Sequence, residues 1–222
     1  MNSLDKHRCL DWQYCQDRGT AARALSTAPL FGADRGKMFG VLLCRDSLDR
    51  EVLLKGFSGQ YCRQWLVSGW VGPLFNVADF AAMSTPVDRR IKVLDACIRQ
   101  ASGEALHQAI LERRALSREL TRAVHGLYRL HNFRGERAGL QEAWCREGGL
   151  PTGSGDCCAP KLLNYAALAG LRPVSLSEFY WGRETRSGSR QHGCFYPPCQ
   201  EKCAPLLGWM LCGLERQATR QA

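Results

Sequence analysis

The chain carries GDCCAPKLLNYA at residues 155–166 and HGCFYPPCQEKC at residues 192–203. Each stretch runs into apolar residues with helical spacing, so each predicts a helix with cysteines at its start. Two cysteine clusters roughly forty residues apart are typical of a metal site assembled from distant segments of a chain. The sequence therefore predicts a fold organised around two cysteine-bearing helix starts.

The predicted metal ligands are Cys157, His192, Cys199 and Cys203. Cys199 and Cys203 are four residues apart, which places both sulfurs on one face of a helix. Zinc favours a tetrahedron of thiolates and imidazoles, and a helix N-terminus stabilises the thiolate form that zinc requires. We therefore expect zinc as the cofactor.

Two ligand choices stay open at the level of the sequence. Cys158 can take the place of Cys157, and Cys194 can take the place of His192. A different interpretation is that these cysteines are reduced thiols buried in the core, because free cysteine packs as a small apolar residue.

The rest of the predicted fold is a small sheet with a helical insertion. Residues 37–44 and 51–59 are apolar runs around a polar turn, and they predict a β-hairpin. Residues 86–133 predict a helical hairpin with a break near Ser102 and Gly103, followed by a shorter helix that ends at about Glu147.

The C-terminal third completes an α/β (α+β) fold. Three further elements are predicted: a helix over 159–169 capped by Asp156, a strand over 174–181 and a helix over 198–214. We expect one α/β domain over 36–214 with its helical insertion at about 86–147. Residues 1–35 are expected to form a partly ordered lead-in, and residues 215–222 a tail.

Composition indicates a basic intracellular protein. The 222 residues include 30 Lys and Arg against 21 Asp and Glu, which gives a net charge of +9. Such a charge favours phosphate-bearing partners, with nucleic acid first among them. The sequence contains no stretch resembling a secretory signal or a membrane span, so a cytoplasmic location is expected. Twelve cysteines in a reducing compartment favour metal ligands or packing over disulfides.

An arginine-bearing face is predicted on the helical insertion. Its residues are Arg113, Arg114, Arg118 and Arg122. One interpretation is a contact with the RNA backbone, whose strength would fall with salt. The other is a solvated helix surface on which the neighbouring Glu104, Glu112 and Glu119 neutralise the arginines.

Several short segments of the sequence occur in an order that resembles a known family. They are GKMFGVL (36–42), FSG (57–59), RGER (134–137), EFYWG (178–182) and the two cysteine stretches. In this order they resemble the N-terminal region of long RluA-type pseudouridine synthases, which modify ribosomal and transfer RNA. The resemblance covers about residues 36–214. It implies an accessory module for RNA modification whose partners are structured RNA (rRNA or tRNA) and a separate synthase chain.

The catalytic signature of those synthases is absent from this sequence. Their nucleophile is an Asp in a His-Arg-Leu-Asp motif, and the nearest stretch here, RDSLD at residues 45–49, lacks the His-Arg lead. The resemblance therefore implies a non-catalytic module. A truncated remnant of a pseudouridine synthase is an alternative interpretation.

The order of hairpin, cysteine-bearing helix, strand and second cysteine cluster also resembles the zinc-dependent nucleobase deaminases. Those enzymes place a glutamate two residues after the first ligand. Here Ala159 and Pro160 stand at those positions, after Cys157 and Cys158 respectively. The alternative function is therefore a divergent deaminase-type hydrolase in which Asp156 or Glu178 replaces the missing glutamate.

Overall fold

The structure is a computed structural model that describes residues 1, 4, 8–10, 25–32 and 34–215. Most of the predicted lead-in, and all of the predicted tail except Glu215, lies outside these residues. The described residues adopt the expected α+β fold. The elements in chain order are a 3-10 helix Ala28–Phe31, β1 Lys37–Arg45, β2 Glu51–Phe57, α1 Val77–Gln100, α2 Gly103–Leu127, β3 Leu130–His131, β4 Arg137–Ala138, α3 Cys158–Leu168, β5 Arg172–Trp181 and α4 Ala204–Met210.

A three-stranded antiparallel sheet has β1 at its centre, between β2 and β5. β1 and β2 form the predicted hairpin, with Phe39 opposite Phe57. β5 pairs with the other side of β1, with Met38 opposite Tyr180. The pairing of β1 with β5 is irregular near Pro173, a residue without an N–H, which a strand at a sheet edge tolerates. The predicted hairpin and the predicted strand over 174–181 are confirmed.

Helix α3 packs directly on the backbone of the sheet. Gly40 of β1 and Gly56 of β2 face each other across the hairpin. A Cβ atom at Gly40 would lie 2.6 Å from the Cβ of Cys158, and one at Gly56 would lie 3.2 Å from Cγ of Leu162. Because both strands lack a side chain at this level, α3 approaches closely, and Cys158 and Leu162 are fully buried. The predicted helix over 159–169 is confirmed.

Helices α1 and α2 form the predicted helical insertion, with different bounds. The break at Ser102 is confirmed, but α1 begins at Val77 rather than at Pro86. The side chain of Asn76 accepts hydrogen bonds from the N–H groups of Ala78 and Asp79, and this cap starts the helix nine residues earlier. The insertion therefore spans residues 77–127, and Pro86 lies inside α1.

Helices α1 and α2 form an arm, and the rest of the described domain is its body. The arm contacts the body at the start of α1 and the end of α2. Phe80, Val124 and Leu127 pack against the main core, whereas no residue of α2 is fully buried. With 24 and 25 residues, each helix is about 37 Å long. Neither these nor any other helix in the described part of the chain has the apolar length that would cross a membrane.

The short helix predicted to end at Glu147 is wrong. After the β3–β4 ribbon, residues 140–143 form a turn and residues 144–147 are irregular or bent, so no helix forms there. Asn132 is buried, and its side-chain oxygen accepts hydrogen bonds from the N–H groups of Arg134 and Glu136. Such bonds from asparagine to the nearby backbone favour a turn over a helix, so the helical hairpin expected to reach residue 133 ends at Leu127 instead.

The helix predicted over 198–214 is shorter than expected. Helix α4 covers only Ala204–Met210, and Cys203 is its N-cap. Pro205 lies in the first turn of α4, a position that proline favours because its missing N–H has no partner there. Cys199 therefore lies in a turn before the helix rather than on the helix itself.

Replacing Gly40 with alanine is expected to destabilise the protein by about 1–3 kcal/mol, because the added methyl group overlaps the Cys158 side chain. The matched control is Gly126→Ala in α2, where a Cβ meets no atom within 4 Å. Alanine is the better helix former by up to about 1 kcal/mol, so the control should be as stable or more stable. Urea unfolding measures both, and an unchanged stability of Gly40→Ala would contradict the close packing.

Candidate metal centre

Three cysteines from the two predicted clusters lie together. The sulfur atoms of Cys157, Cys199 and Cys203 are all within 4.8 Å of one another. Those of Cys199 and Cys203 are 3.5 Å apart. Cys203 is buried, and the other two are partly buried. This group of sulfurs can hold a metal ion, as the sequence predicted for these three residues.

The position of Cys157 follows from the packing around it. Cys157 is the N-cap residue of α3, which is fixed against the sheet. Just before it, Gly155 has a φ of 86°, and a Cβ there would lie 2.8 Å from the ring of Tyr128. The chain can therefore turn tightly over Tyr128 and direct Cys157 toward the second cluster.

A helical turn holds the other two cysteines. The backbone N–H of Cys203 donates to the carbonyl of Cys199 over 3.2 Å, which brings residues four apart onto the same side. Leu206 and Met210 of α4 are buried in the main core and anchor this turn. Lys202 donates to the carbonyl of Thr152 over 2.7 Å and so ties the turn to the loop before Cys157.

The three thiols influence one another's protonation. The pKa of Cys157 is lowered, chiefly because its sulfur accepts a hydrogen bond from the Cys203 thiol, although burial opposes this effect. The same hydrogen bond, together with burial, raises the pKa of Cys203. A helix N-terminus also favours a thiolate at Cys157. The group is therefore suited to one thiolate, which is the form that binds a metal ion.

One buried and one partly buried carboxyl group lie near the cysteines. Glu178 of β5 is only 6% exposed and accepts a hydrogen bond from the N–H of Ala159, in the first turn of α3, over 2.9 Å. Asp156 accepts a hydrogen bond from the Tyr128 hydroxyl over 2.6 Å. Burial raises the pKa of both carboxyl groups. Asp156 was predicted to cap α3, and this prediction is wrong because Cys157 occupies the N-cap position.

The open choice between the two adjacent cysteines is resolved. Cys158 points away from the group, toward the sheet, and its thiol donates to the carbonyl of Met38 over 3.4 Å. Burial raises the pKa of Cys158. Cys157 is therefore the ligand candidate, and Cys158 is a packing residue between α3 and β1.

His192 does not join the sulfur group. Its ring lies 4.4 Å from the ring of Trp181, and its Nδ1 accepts a hydrogen bond from the N–H of Gly182 over 3.2 Å. Cys194, the other candidate, contacts Gln191. In the described residues, the potential ligand atoms of this group that lie within 4.8 Å of one another come from three residues, Cys157, Cys199 and Cys203. The structure thus brings together three of the four ligands expected from the sequence and places His192 apart from them.

The predicted arginine face divides into two parts. Arg113 forms an ion pair with Asp95 of α1, so it faces the other helix of the arm. Arg114, Arg118 and Arg122 are exposed and form a stripe at intervals of four residues. None of the three has an ion pair or hydrogen bond with any described residue.

A buried lysine near the site is not predicted by the sequence patterns. Lys161 is only 1% exposed, and its ammonium donates to the carbonyl of Phe57 over 2.6 Å. It also lies over the Phe57 ring, 4.7 Å from its centre. The only signal in the sequence is a lysine within an otherwise apolar helix. Lys161 joins α3 to the end of β2.

The scattered cysteines in the described part of the chain lie in different surroundings. Cys44 is buried in the main core, as expected for a packing residue, and Cys97 and Cys145 are exposed. Cys9 is disulfide-bonded, which the expectation of reduced thiols did not anticipate.

Comparisons with known protein families, characterised proteins and solved structures yield no match to this chain. The resemblance to RluA-type pseudouridine synthases and to nucleobase deaminases therefore stays a prediction.

Replacing each of the two adjacent cysteines with alanine, one at a time, tests which of them binds the metal ion. Cys157→Ala is expected to lose the bound metal, whereas Cys158→Ala should keep about one ion per chain, because its thiol faces the sheet. Cys97→Ala, which alters an exposed cysteine on α1, is the control. Mass spectrometry of the metal content of purified proteins gives the answer. Loss of metal in Cys158→Ala alone would reverse the assignment.

Proposed function

We propose that the protein is a non-catalytic, zinc-stabilised module that binds structured RNA. The three-cysteine group holds the body of the domain together, and the helical arm provides the contact with RNA. The observation that carries the RNA proposal is the unpaired arginine stripe Arg114, Arg118 and Arg122 on α2.

Zinc suits the sulfur group better than a hard cation does. Thiolates select zinc, copper(I) or iron–sulfur clusters, whereas magnesium and calcium take oxygen ligands. Zinc–sulfur bonds of about 2.3 Å place tetrahedral sulfurs about 3.8 Å apart. The separations here, 3.5 Å for Cys199 to Cys203 and at most 4.8 Å within the group, bracket that value. Bound zinc would link α3 to the turn before α4.

The arginine stripe differs from an ordinary solvated helix face. The acids expected to neutralise it form no ion pair with the stripe. Glu112 pairs with Arg90 of α1, and Glu104 accepts a hydrogen bond from Gln108. Glu119 forms no ion pair with a described residue. Successive guanidinium groups are about 6 Å apart along α2, and three unpaired cations in a row favour a polyanion.

The resemblance to the N-terminal region of RluA-type synthases supports RNA as that polyanion. The partners proposed are ribosomal or transfer RNA and a separate pseudouridine synthase chain. The net charge of +9 supports the same class of partner.

Neutralising the stripe should weaken RNA binding and reduce its salt dependence. The triple variant Arg114→Gln, Arg118→Gln, Arg122→Gln is expected to lower the slope of log K against log salt by about 2, because each lost phosphate contact removes about 0.7–0.9. Binding of a fluorescein-labelled RNA stem-loop, followed by anisotropy at several salt concentrations, measures the slope.

The matched control removes the same charge from other exposed arginines. It is the triple variant Arg99→Gln, Arg146→Gln, Arg186→Gln, whose positions are exposed and lie off the stripe. The control should retain most of the slope. An equal loss of slope in both variants would contradict a contact at the stripe.

One observation favours a second candidate, a zinc hydrolase of the deaminase type. Three protein ligands leave a fourth position for water, as in catalytic zinc sites. A cavity of about 230 Å³ is lined by Glu178, Phe195 and Pro198, and Pro198 directly precedes Cys199 in the sequence. Zinc would supply an activated water, and Glu178 would hold a proton there.

The second candidate predicts ammonia release from nucleobases or nucleosides by zinc-loaded protein. Glu178→Gln should abolish it while the amide oxygen still accepts the N–H of Ala159, so the fold is kept. Asp156→Asn, whose partner is Tyr128, is the control and should retain activity. Absence of turnover in the unaltered protein, or equal turnover in Glu178→Gln, would eliminate this candidate.

A further inference from the structure

A cavity of about 560 Å³ lies between the start of β1, the turn at residues 61–64 and the arm. It is separate from the three-cysteine group and shares none of its lining residues with it. Its volume is within the range of sites for small ligands. Its lining includes two cations, two acids and two aromatic rings.

The turn that forms one wall has an unfavourable backbone conformation. Tyr61 and Gln64 exchange two backbone hydrogen bonds of 2.8 Å. Between them, Cys62 and Arg63 have φ values of 46° and 64°. A two-residue turn with both φ values positive normally takes Asn-Gly, because side chains with a Cβ are strained in this region. The chain thus places Arg63 at the cavity at a cost in backbone strain, which is a feature of functional sites.

Two cations at the cavity have unused hydrogen-bonding capacity. Lys37 is partly buried, and its ammonium donates to the carbonyl of Ser58 over 3.3 Å. An ammonium group has three hydrogens, so two remain for a ligand. The guanidinium group of Arg63 has no ion pair or hydrogen bond with any described residue. A phosphate between Lys37 and Arg63 would satisfy both.

The cavity also has aromatic and acidic lining residues, which suit a flat, polar ring. Trp65 and Phe80 contact each other edge to face, with ring centres 5.2 Å apart, and both line the cavity. Asp34 and Asp88 line it as well and can accept hydrogen bonds from a sugar hydroxyl or a base. Aromatic side chains next to basic ones are the usual means of binding an unpaired base.

From these contacts we infer that the cavity binds one unpaired ribonucleotide, with Lys37 and Arg63 on its phosphate and Trp65 and Phe80 against its base. This inference rests on the proposed RNA-binding function, because the nucleotide would belong to the RNA that the arm contacts. Phe80 and Asp88 are residues of α1, the partner of the arginine-bearing helix in the arm.

Arg63→Gly is the decisive variant, because it removes the cation and relieves the backbone strain at once. It should fold with an equal or higher Tm and bind adenosine or uridine 5′-monophosphate at least about tenfold more weakly. Arg35→Gly is matched in charge and in backbone conformation, since Arg35 has a φ of 58° and does not line the cavity. It should leave binding unchanged. Calorimetric titration of the full chain gives both affinities.

The nucleoside without phosphate is the second probe, and it should bind at least about tenfold more weakly than the nucleotide. Failure of the unaltered chain to bind either mononucleotide, or equal binding by Arg63→Gly, would overturn the inference. If stem-loop binding is still weakened in the stripe variant in that case, the proposed function holds without the nucleotide site. If the mononucleotides bind but the stripe variant binds the stem-loop as the unaltered protein does, the cavity is a site for a free nucleotide and the proposed function fails.

Discussion

The close approach of α3 to the sheet determines the rest of the structure. Gly40 and Gly56, paired across the hairpin, leave no side chain beneath the helix, so Cys158 and Leu162 contact the strands directly. This contact fixes the start of α3, and with it the sulfur of Cys157. The cysteines of the second cluster reach the same point because α4 packs its apolar side into the same core. A shift of α3 on the sheet would therefore move the Cys157 sulfur relative to those of Cys199 and Cys203.

The buried core and the exposed arginine stripe lie in different parts of the chain. The body contains the cysteine group, the sheet and both buried clusters of apolar residues. The arm is joined to the body through apolar residues at its base, and its helices are linked by the ion pairs of Arg90 with Glu112 and of Arg113 with Asp95. Most of the other residues of the arm are exposed. Such an arm can present charge to a large polyanion without disturbing the core.

Local patterns in the sequence predicted the parts of the fold that local patterns control. The hairpin, α3 and β5 are apolar runs between turn residues, and three of the four predicted ligands follow from cysteine spacing at helix starts. Contacts between distant segments decide the rest. Asn132 turns the chain where a helix was expected, and His192 lies on Trp181, beside Phe31 from the other end of the chain. Neither contact leaves a periodic signal.

The most direct measurement is X-ray absorption at the zinc edge of the purified, zinc-loaded protein. Three sulfur neighbours at about 2.3 Å and one lighter neighbour are expected, since Cys157, Cys199 and Cys203 supply the thiolates and no fourth cysteine joins them in the described residues. Bound zinc with fewer than three sulfur neighbours, or a protein that retains no zinc, would contradict a metal centre built from these cysteines.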